Sequence, residues 1–255
     1  MIPTTPRKRK SGGVGRCCLC HSHDLLVDSH IIPDFYYKPL KQSEGQFYIL
    51  STNSAKRKIN RQKGITEALL CARCDNGRLS KYESHLAQVL FHGGSLKANQ
   101  RGPLLVFEGY NYKQIKNGLL SILWRMSLST NPFFQNVDLG EKHQERLRTG
   151  LLNDITFPEE EYPILAVAPT FDGKVLPDAI LMPDLIHLDG NRVYRCLISG
   201  LIFAFVVGAF PLDEIGEALI LRKKLWPIGT AKVEDIPFLY EAALQYGSAN
   251  YMKAT

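Results

Sequence analysis

Residues 16–33 read RCCLCHSHDLLVDSHIIP, and residues 69–78 read LLCARCDNGR. Each stretch holds one Cys-x-x-Cys pair, Cys17 with Cys20 and Cys71 with Cys74. A Cys-x-x-Cys turn bends two sulfurs towards one point, and two such turns from distant parts of a chain complete a tetrahedral thiolate set for Zn²⁺. A disulfide framework is the habit of secreted chains. A redox Cys-x-x-Cys belongs beside a βαβ pattern, and neither pair has one. Cys17, Cys20, Cys71 and Cys74 are therefore the expected ligands of one structural zinc. Cys18, His21 and His23 are alternative donors beside the first pair. Cys196 lies in an apolar run and reads as a core thiol. Residues 16–100 have few well-patterned apolar positions, and a metal staple is what lets so small a unit fold.

Outward from the cysteines, the apolar pattern divides the chain into three parts. Residues 1–15 (MIPTTPRKRKSGGVG) combine Pro, Gly and charge without an apolar period and read as a disordered basic arm. Residues 16–100 form the zinc-binding segment. Within it, Leu25–Ile32 and Gln46–Thr52 read as strands. The stretch Gly77–Phe91, with Leu79, Tyr82, Leu86, Val89 and Leu90, has a helical period. A polar linker, Gly94–Pro103, leads to residues 103–255, an α+β unit to which no chemical motif attaches. There, 112–127 and 139–152 read as helices, the second with Glu141, Glu145 and Arg148 at pairing distance along one face. Residues 162–169, 179–182, 192–198 and 201–210 read as strands. No internal repeat is present.

The string Val27-Asp28-Ser29-His30-Ile31-Ile32-Pro33, followed by Cys71-Ala72-Arg73-Cys74-Asp75-Asn76-Gly77-Arg78, resembles the zinc-knuckle branch of the HNH, or His-Me finger, endonucleases. The resemblance spans Cys17 to about Glu83, and it rests on Cys-x-x-Cys, His-Ile-Ile-Pro and Cys-x-x-Cys in that order. It implies an N-terminal ββα-metal head, treble-clef-like and holding zinc, followed by an α+β domain. His30 then falls on the general base that activates water. Asp75 falls on the Asn or His that ligates a catalytic Mg²⁺ or Mn²⁺, and Arg78 on a common Lys position. Ser29 stands where many members have a ligating Asp, so Asp28 or Asp34 is expected to substitute. Thr66 stands where an Asn usually anchors the loop. The residue types suit phosphodiester hydrolysis: an imidazole that titrates near neutral pH as base, and carboxylate oxygens for a hard cation. Against this, His30 can be a packing histidine and Asp75 a helix N-cap. Members of the family with an added domain often resemble effectors of bacterial defence against foreign DNA.

Charge points either to a polyanionic partner or to an ordinary soluble surface with a basic tail and a solvated basic loop. Residues 1–100 carry 16 Lys+Arg and 7 Asp+Glu, a balance of +9, against 15 and 18, or −3, in the remainder. Lys56, Arg57, Lys58, Arg61 and Lys63 form a basic loop suited to the phosphate backbone. Nucleic acid, DNA ahead of RNA, is the expected partner. Tyr36 and Tyr37 can stack on bases or pack in the core. Two other readings stay open: a zinc-knuckle module that binds nucleic acid without cutting it, and a subunit of a larger complex that uses Phe133, Phe134 and the apolar C-terminal strands for contact. The basic N-terminus has no apolar stretch after it, and the run from Cys196 to Phe210 is too short to span a bilayer. A cytoplasmic protein without membrane association is expected.

Overall fold

The computed structural model describes residues 12–38, 47–50, 59–61, 63–92, 95–171, 173–175, 180–181, 183–211 and 225–241, and it is of mixed α+β class. The chain opens with β1 (Val14–Arg16) and β2 (His23–His30), antiparallel across the turn that carries Cys17 and Cys20. The expected basic arm thus ends earlier than residue 15: Val14 pairs with Leu25 and Gly15 with Asp24. Residues 1–11 lie outside the described residues.

A short 3₁₀ turn, Asp34–Tyr37, follows β2 and buries both tyrosines completely. Core packing is therefore their role, and base stacking is excluded by burial. Next come β3 (Phe47–Leu50), β4 (Ile59–Arg61) and β5 (Thr66–Cys71). β5 completes a three-stranded sheet, β1-β2-β5. Between the pairs Val27–Leu70 and Ser29–Glu67 the register shifts by one residue, leaving Asp28 opposite both Ala68 and Leu69. The extra residue is on β5, so the bulge bends that strand and increases the local twist opposite Asp28.

The helical segment begins at the second cysteine pair, earlier than its apolar period suggests. A π-helical turn, Arg73–Leu79, runs straight into α1 (Ser80–Leu90), and the Ser80 amide donates to the Asp75 carbonyl five residues back. After β6 (Phe91–His92), the expected linker holds two short strands, β7 (Ser95–Leu96) and β8 (Asn99–Arg101), the first paired with β6 and the second with β9 (Leu104–Glu108). Its exposed polar residues mark a sheet edge, where one face and one side meet water.

α2 (Tyr112–Leu128) is capped by Asn111, whose side chain accepts from the Gln114 amide at 3.1 Å. Its C-terminal end is clamped by Glu67 of β5, which accepts from the Thr130 amide (3.0 Å), the Thr130 hydroxyl (3.0 Å), the Asn131 amide (3.2 Å) and the Ser129 hydroxyl. Phe133 and Phe134 are buried in an edge-to-face pair, so they offer no contact surface to a partner. α3 (Gly140–Leu152) follows, and its expected Glu145–Arg148 pair closes at 2.6 Å.

The remaining strands are β10 (Ile164–Phe171), β11 (Lys174–Val175), β12 (Ile180–Leu181), β13 (Asp184–Leu188), β14 (Asn191–Ile198), β15 (Leu201–Val206) and β16 (Leu225–Lys232). Two-residue turns join β13 to β14 at Asp189-Gly190 and β14 to β15 at Ser199-Gly200. All four turn residues have positive φ, the geometry that matches strand twist. The large sheet runs β4-β3-β12-β14-β15-β10-β16-β9-β8, with β11 beside β10 and β13 beside β14. β3, β4 and β8, from residues expected in the zinc-binding segment, are members of this sheet. One buried cluster extends from Cys17 and Leu26 through Leu86 and Leu119 to Trp226 and Ile228. Cys196 is buried within it, as its apolar context predicts. Among the described residues no helix is long and apolar enough to cross a membrane.

Candidate functional site

The turn after β1 is fixed by its backbone. The Cys17 amide donates to the Ser22 carbonyl and the His21 amide to the Cys17 carbonyl, both at 2.9 Å, with His21 at φ 61°. The Cys18 amide donates to the Leu69 carbonyl at 2.9 Å, and the Cys71 amide to Cys17 Sγ at 3.4 Å, locking the first pair against the second. The sulfurs of Cys17, Cys20, Cys71 and Cys74 all lie within 4.8 Å of one another. Cys20 Sγ and Cys71 Sγ are 3.9 Å apart. A tetrahedron with Zn–S bonds of about 2.3 Å has edges of about 3.8 Å, whereas a disulfide needs about 2.05 Å. The four cysteines are thus placed to hold a metal ion such as zinc. Cys18 is not among them, and His21 and His23 are exposed.

Burial raises the thiols of Cys17 and Cys74. Cys20 feels burial too, but hydrogen bonds from the hydroxyl and amide of Ser22, and from the Cys74 and Cys17 thiols, bring it down to about 6. Arg73 is fully exposed and interacts with Cys20, adding a positive charge beside the cluster. A divalent cation at this place removes the remaining protons and satisfies four sulfurs at once.

Immediately beyond Cys74 the chain builds a second constellation. His30 ends β2, its imidazole about one-third exposed, with Nε2 at 3.8 Å from Asp34 Oδ1. Asp34 sits one 3₁₀ turn on, after Pro33. Asp75 lies on the π-helical turn, half-buried. Burial raises its carboxyl above the usual range, and the nearby Glu83 carboxylate adds to that. Arg125, the Ser29 hydroxyl and His30 oppose the rise. Ser29 itself is fully buried, and its hydroxyl faces Asp75 without a partner of ordinary hydrogen-bond geometry among the described residues. Asp28 is exposed at the bulge. Of the two carboxylates expected to replace a ligand at Ser29, Asp34 is the one near His30. Thr66 pairs with His30 across β2 and β5.

Two members of this constellation were not singled out by sequence. Glu83 lies on α1 two turns beyond Asp75, and its Oε1 meets Arg125 Nη1 at 2.7 Å. An eight-residue spacing on one helix face is the signal that finds it. Arg125 interrupts the apolar face of α2, and a charge in such a place is itself a signal. Its guanidinium is fully buried.

The expected nucleic-acid-binding residues fare differently. Lys56, Arg57 and Lys58 lie outside the described residues, as does the side chain of Arg61, although its backbone ends β4. Lys63 is exposed. Arg78 is committed to protein: its Nη1 donates to the Leu152 carbonyl, and it lines a cleft of about 440 Å³ with Arg73, Lys81 and Asp154.

No protein-family model, curated protein or solved structure matches this chain.

Proposed function

We propose that this chain is an HNH-type, metal-dependent endonuclease that hydrolyses phosphodiester bonds in nucleic acid, DNA ahead of RNA. The observation that carries the reading is His30 at 3.8 Å from Asp34, with Asp75, the residue after Cys74, within electrostatic reach of the same imidazole. In this reading β2, β5 and the helical segment from Arg73 to Leu90 form a ββα-metal head. The four cysteines hold a structural zinc, and the acidic constellation does the chemistry.

His30 is the base: its imidazole, at the strand end and reachable from solvent, takes the proton of the attacking water. Asp34, 3.8 Å away, orients the ring and stabilises it once protonated. Asp75 would offer an oxygen donor for Mg²⁺ or Mn²⁺, which when bound stabilises charge on the scissile phosphate and the leaving oxygen. Asp28, exposed opposite the bulge, has no part in this scheme. The basic residues Lys56, Arg57, Lys58, Arg61 and Lys63 supply grip on the backbone.

A second reading, a module that binds nucleic acid without cutting, is favoured by Ser29: a hydroxyl stands at the place of a ligating carboxylate. One experiment separates the two. His30→Ala is expected to abolish Mg²⁺- or Mn²⁺-dependent cleavage while zinc content and nucleic-acid affinity stay close to wild type, because the base acts on the transition state. Asp75→Ala should also lose cleavage, with partial rescue at higher metal concentration. Ser29→Asp should lower the metal concentration needed. Wild-type protein that binds DNA or RNA but cleaves neither with either metal, partners encoded beside it included, establishes the binding module instead.

A further inference from the structure

We infer that the site is composite: Arg125, from helix α2 and outside the zinc-bearing segment, is the positioning residue that sets His30 against the carboxylates of the helical segment. This rests on the endonuclease reading above.

Arg125 is surrounded on its helix by Ile122, Leu123, Trp124 and Met126, each at most 1% exposed, and its own side chain is 0% exposed. A guanidinium is costly to strip of water, and an apolar side chain of similar volume would pack α2 at least as well. What distinguishes this residue is where its donors go. Nη1 reaches the His30 carbonyl at 2.6 Å and Glu83 Oε1 at 2.7 Å. Nε donates to the Ser121 carbonyl at 3.3 Å and Nη2 to the Ser121 hydroxyl at 3.5 Å, so the fork is held by its own helix.

The peptide unit between His30 and Ile31 is thereby gripped on both sides. Its carbonyl accepts from Arg125, and its N–H, that of Ile31, donates to the Ile65 carbonyl at 3.0 Å. Fixing that plane fixes the direction in which the His30 side chain leaves the backbone. Through Glu83 the same guanidinium fixes α1, whose π-helical lead-in carries Asp75. One planar, five-donor group thus ties the strand bearing the base to the helix bearing the carboxylates, a task that a Lys point charge cannot perform in full.

The test uses the full chain with zinc bound. The double variant Arg125→Met/Glu83→Gln removes the guanidinium without leaving a carboxylate unpaired. Arg125→Lys and Glu83→Gln are made singly. Histidine labelled with ¹³C at Cε1 gives seven resonances, and His30→Gln assigns that of His30. Expected in the double variant are unchanged zinc content, a His30 resonance moved and broadened while the other six stay in place, and kcat down about 100-fold with KM within about threefold, the cost of slight misplacement. Arg125→Lys should be intermediate, and Glu83→Gln, which leaves the carbonyl contact intact, should leave the His30 resonance where it was. An unmoved His30 resonance and unchanged kcat in a folded double variant overturn the inference. Loss of zinc in both Arg125 variants also overturns it, making the residue a folding determinant only. If the wild type cleaves nothing, the endonuclease reading fails, and the His30 resonance still decides whether Arg125 positions it.

Discussion

Cys71 shows how much hangs on single atoms. Its amide holds Cys17 Sγ at 3.4 Å and its own sulfur stands 3.9 Å from Cys20 Sγ, so it joins the two halves of the cluster through both backbone and side chain. Structural zinc contributes on the order of 10–16 kcal/mol in small zinc units, as much as the whole stability of a typical domain. Cys71→Ser is therefore expected to reduce zinc from one per chain to almost none and to unfold the region around β1, β2 and β5. Elemental analysis together with circular dichroism reads both effects. A variant that keeps its zinc would remove Cys71 from the ligand set. The ligands were legible in sequence because each pair is local, set by a three-residue spacing. Arg125 and Glu83 were not legible as partners because 42 residues separate them and only packing of α1 on α2 joins them.

At the scale of elements, helix α3 does a structural job that its charged sequence conceals. Arg148 donates to the Leu19 carbonyl at 2.6 Å, bracing the first cysteine turn, and Glu145 holds that guanidinium in place. On its buried face Gly150 lies so close to Phe157 that a Cβ would overlap the ring. Phe157 cannot yield easily, since it is fully buried, Arg146 stacks on it at 4.7 Å, and Tyr162 meets it edge-on at 5.8 Å. Alanine ordinarily improves a helix by about 1 kcal/mol over glycine. Overpacking a rigid neighbour costs about 1–3 kcal/mol or more. Gly150→Ala should accordingly destabilise, seen as a lower urea midpoint at unchanged m-value. A rise in the midpoint would show that the ring moves aside. The helical periods of α1 and α2 were legible because a buried face repeats along the chain, and α3 because Glu141, Glu145 and Arg148 recur at helical spacing. β1 and β8 were not, since short strands of Gly and exposed polar residues exist only through their partners, β2 and β9.

The whole molecule carries its charge unevenly, +9 in residues 1–100 and −3 in the rest. Under the proposed reading this excess of positive charge meets the polyanion. Neutralising Lys56, Arg57 and Lys58 together should weaken nucleic-acid binding alike at all sequences. The slope of log affinity against log salt should shrink by about one unit for each phosphate that is no longer neutralised. Fluorescence anisotropy over a salt series measures this, and an unaltered slope would return the loop to an ordinary solvated surface. On the same scale, the expected boundary between zinc-bearing segment and remainder is bridged in three ways. β3 pairs in parallel with β12, Glu67 clamps the end of α2, and the buried cluster runs through both parts.

By itself the sequence determined the mixed α+β class, the four cysteines placed to hold a metal, the three long helices and the two strands on either side of the Ser199-Gly200 turn. Each of these rests on interactions between residues near in the chain: a chelating turn, an apolar stripe, a pair of positive-φ residues. The tertiary structure decided what depends on distant segments meeting. It put Asp34 beside His30, because the 3₁₀ turn after Pro33 folds the chain back against the end of β2. It buried Tyr36, Tyr37, Phe133 and Phe134, and made the polar linker a sheet edge. It also brought a guanidinium from α2 to the carbonyl of His30, because desolvating that charge is tolerable only where strand, helix and carboxylate already converge.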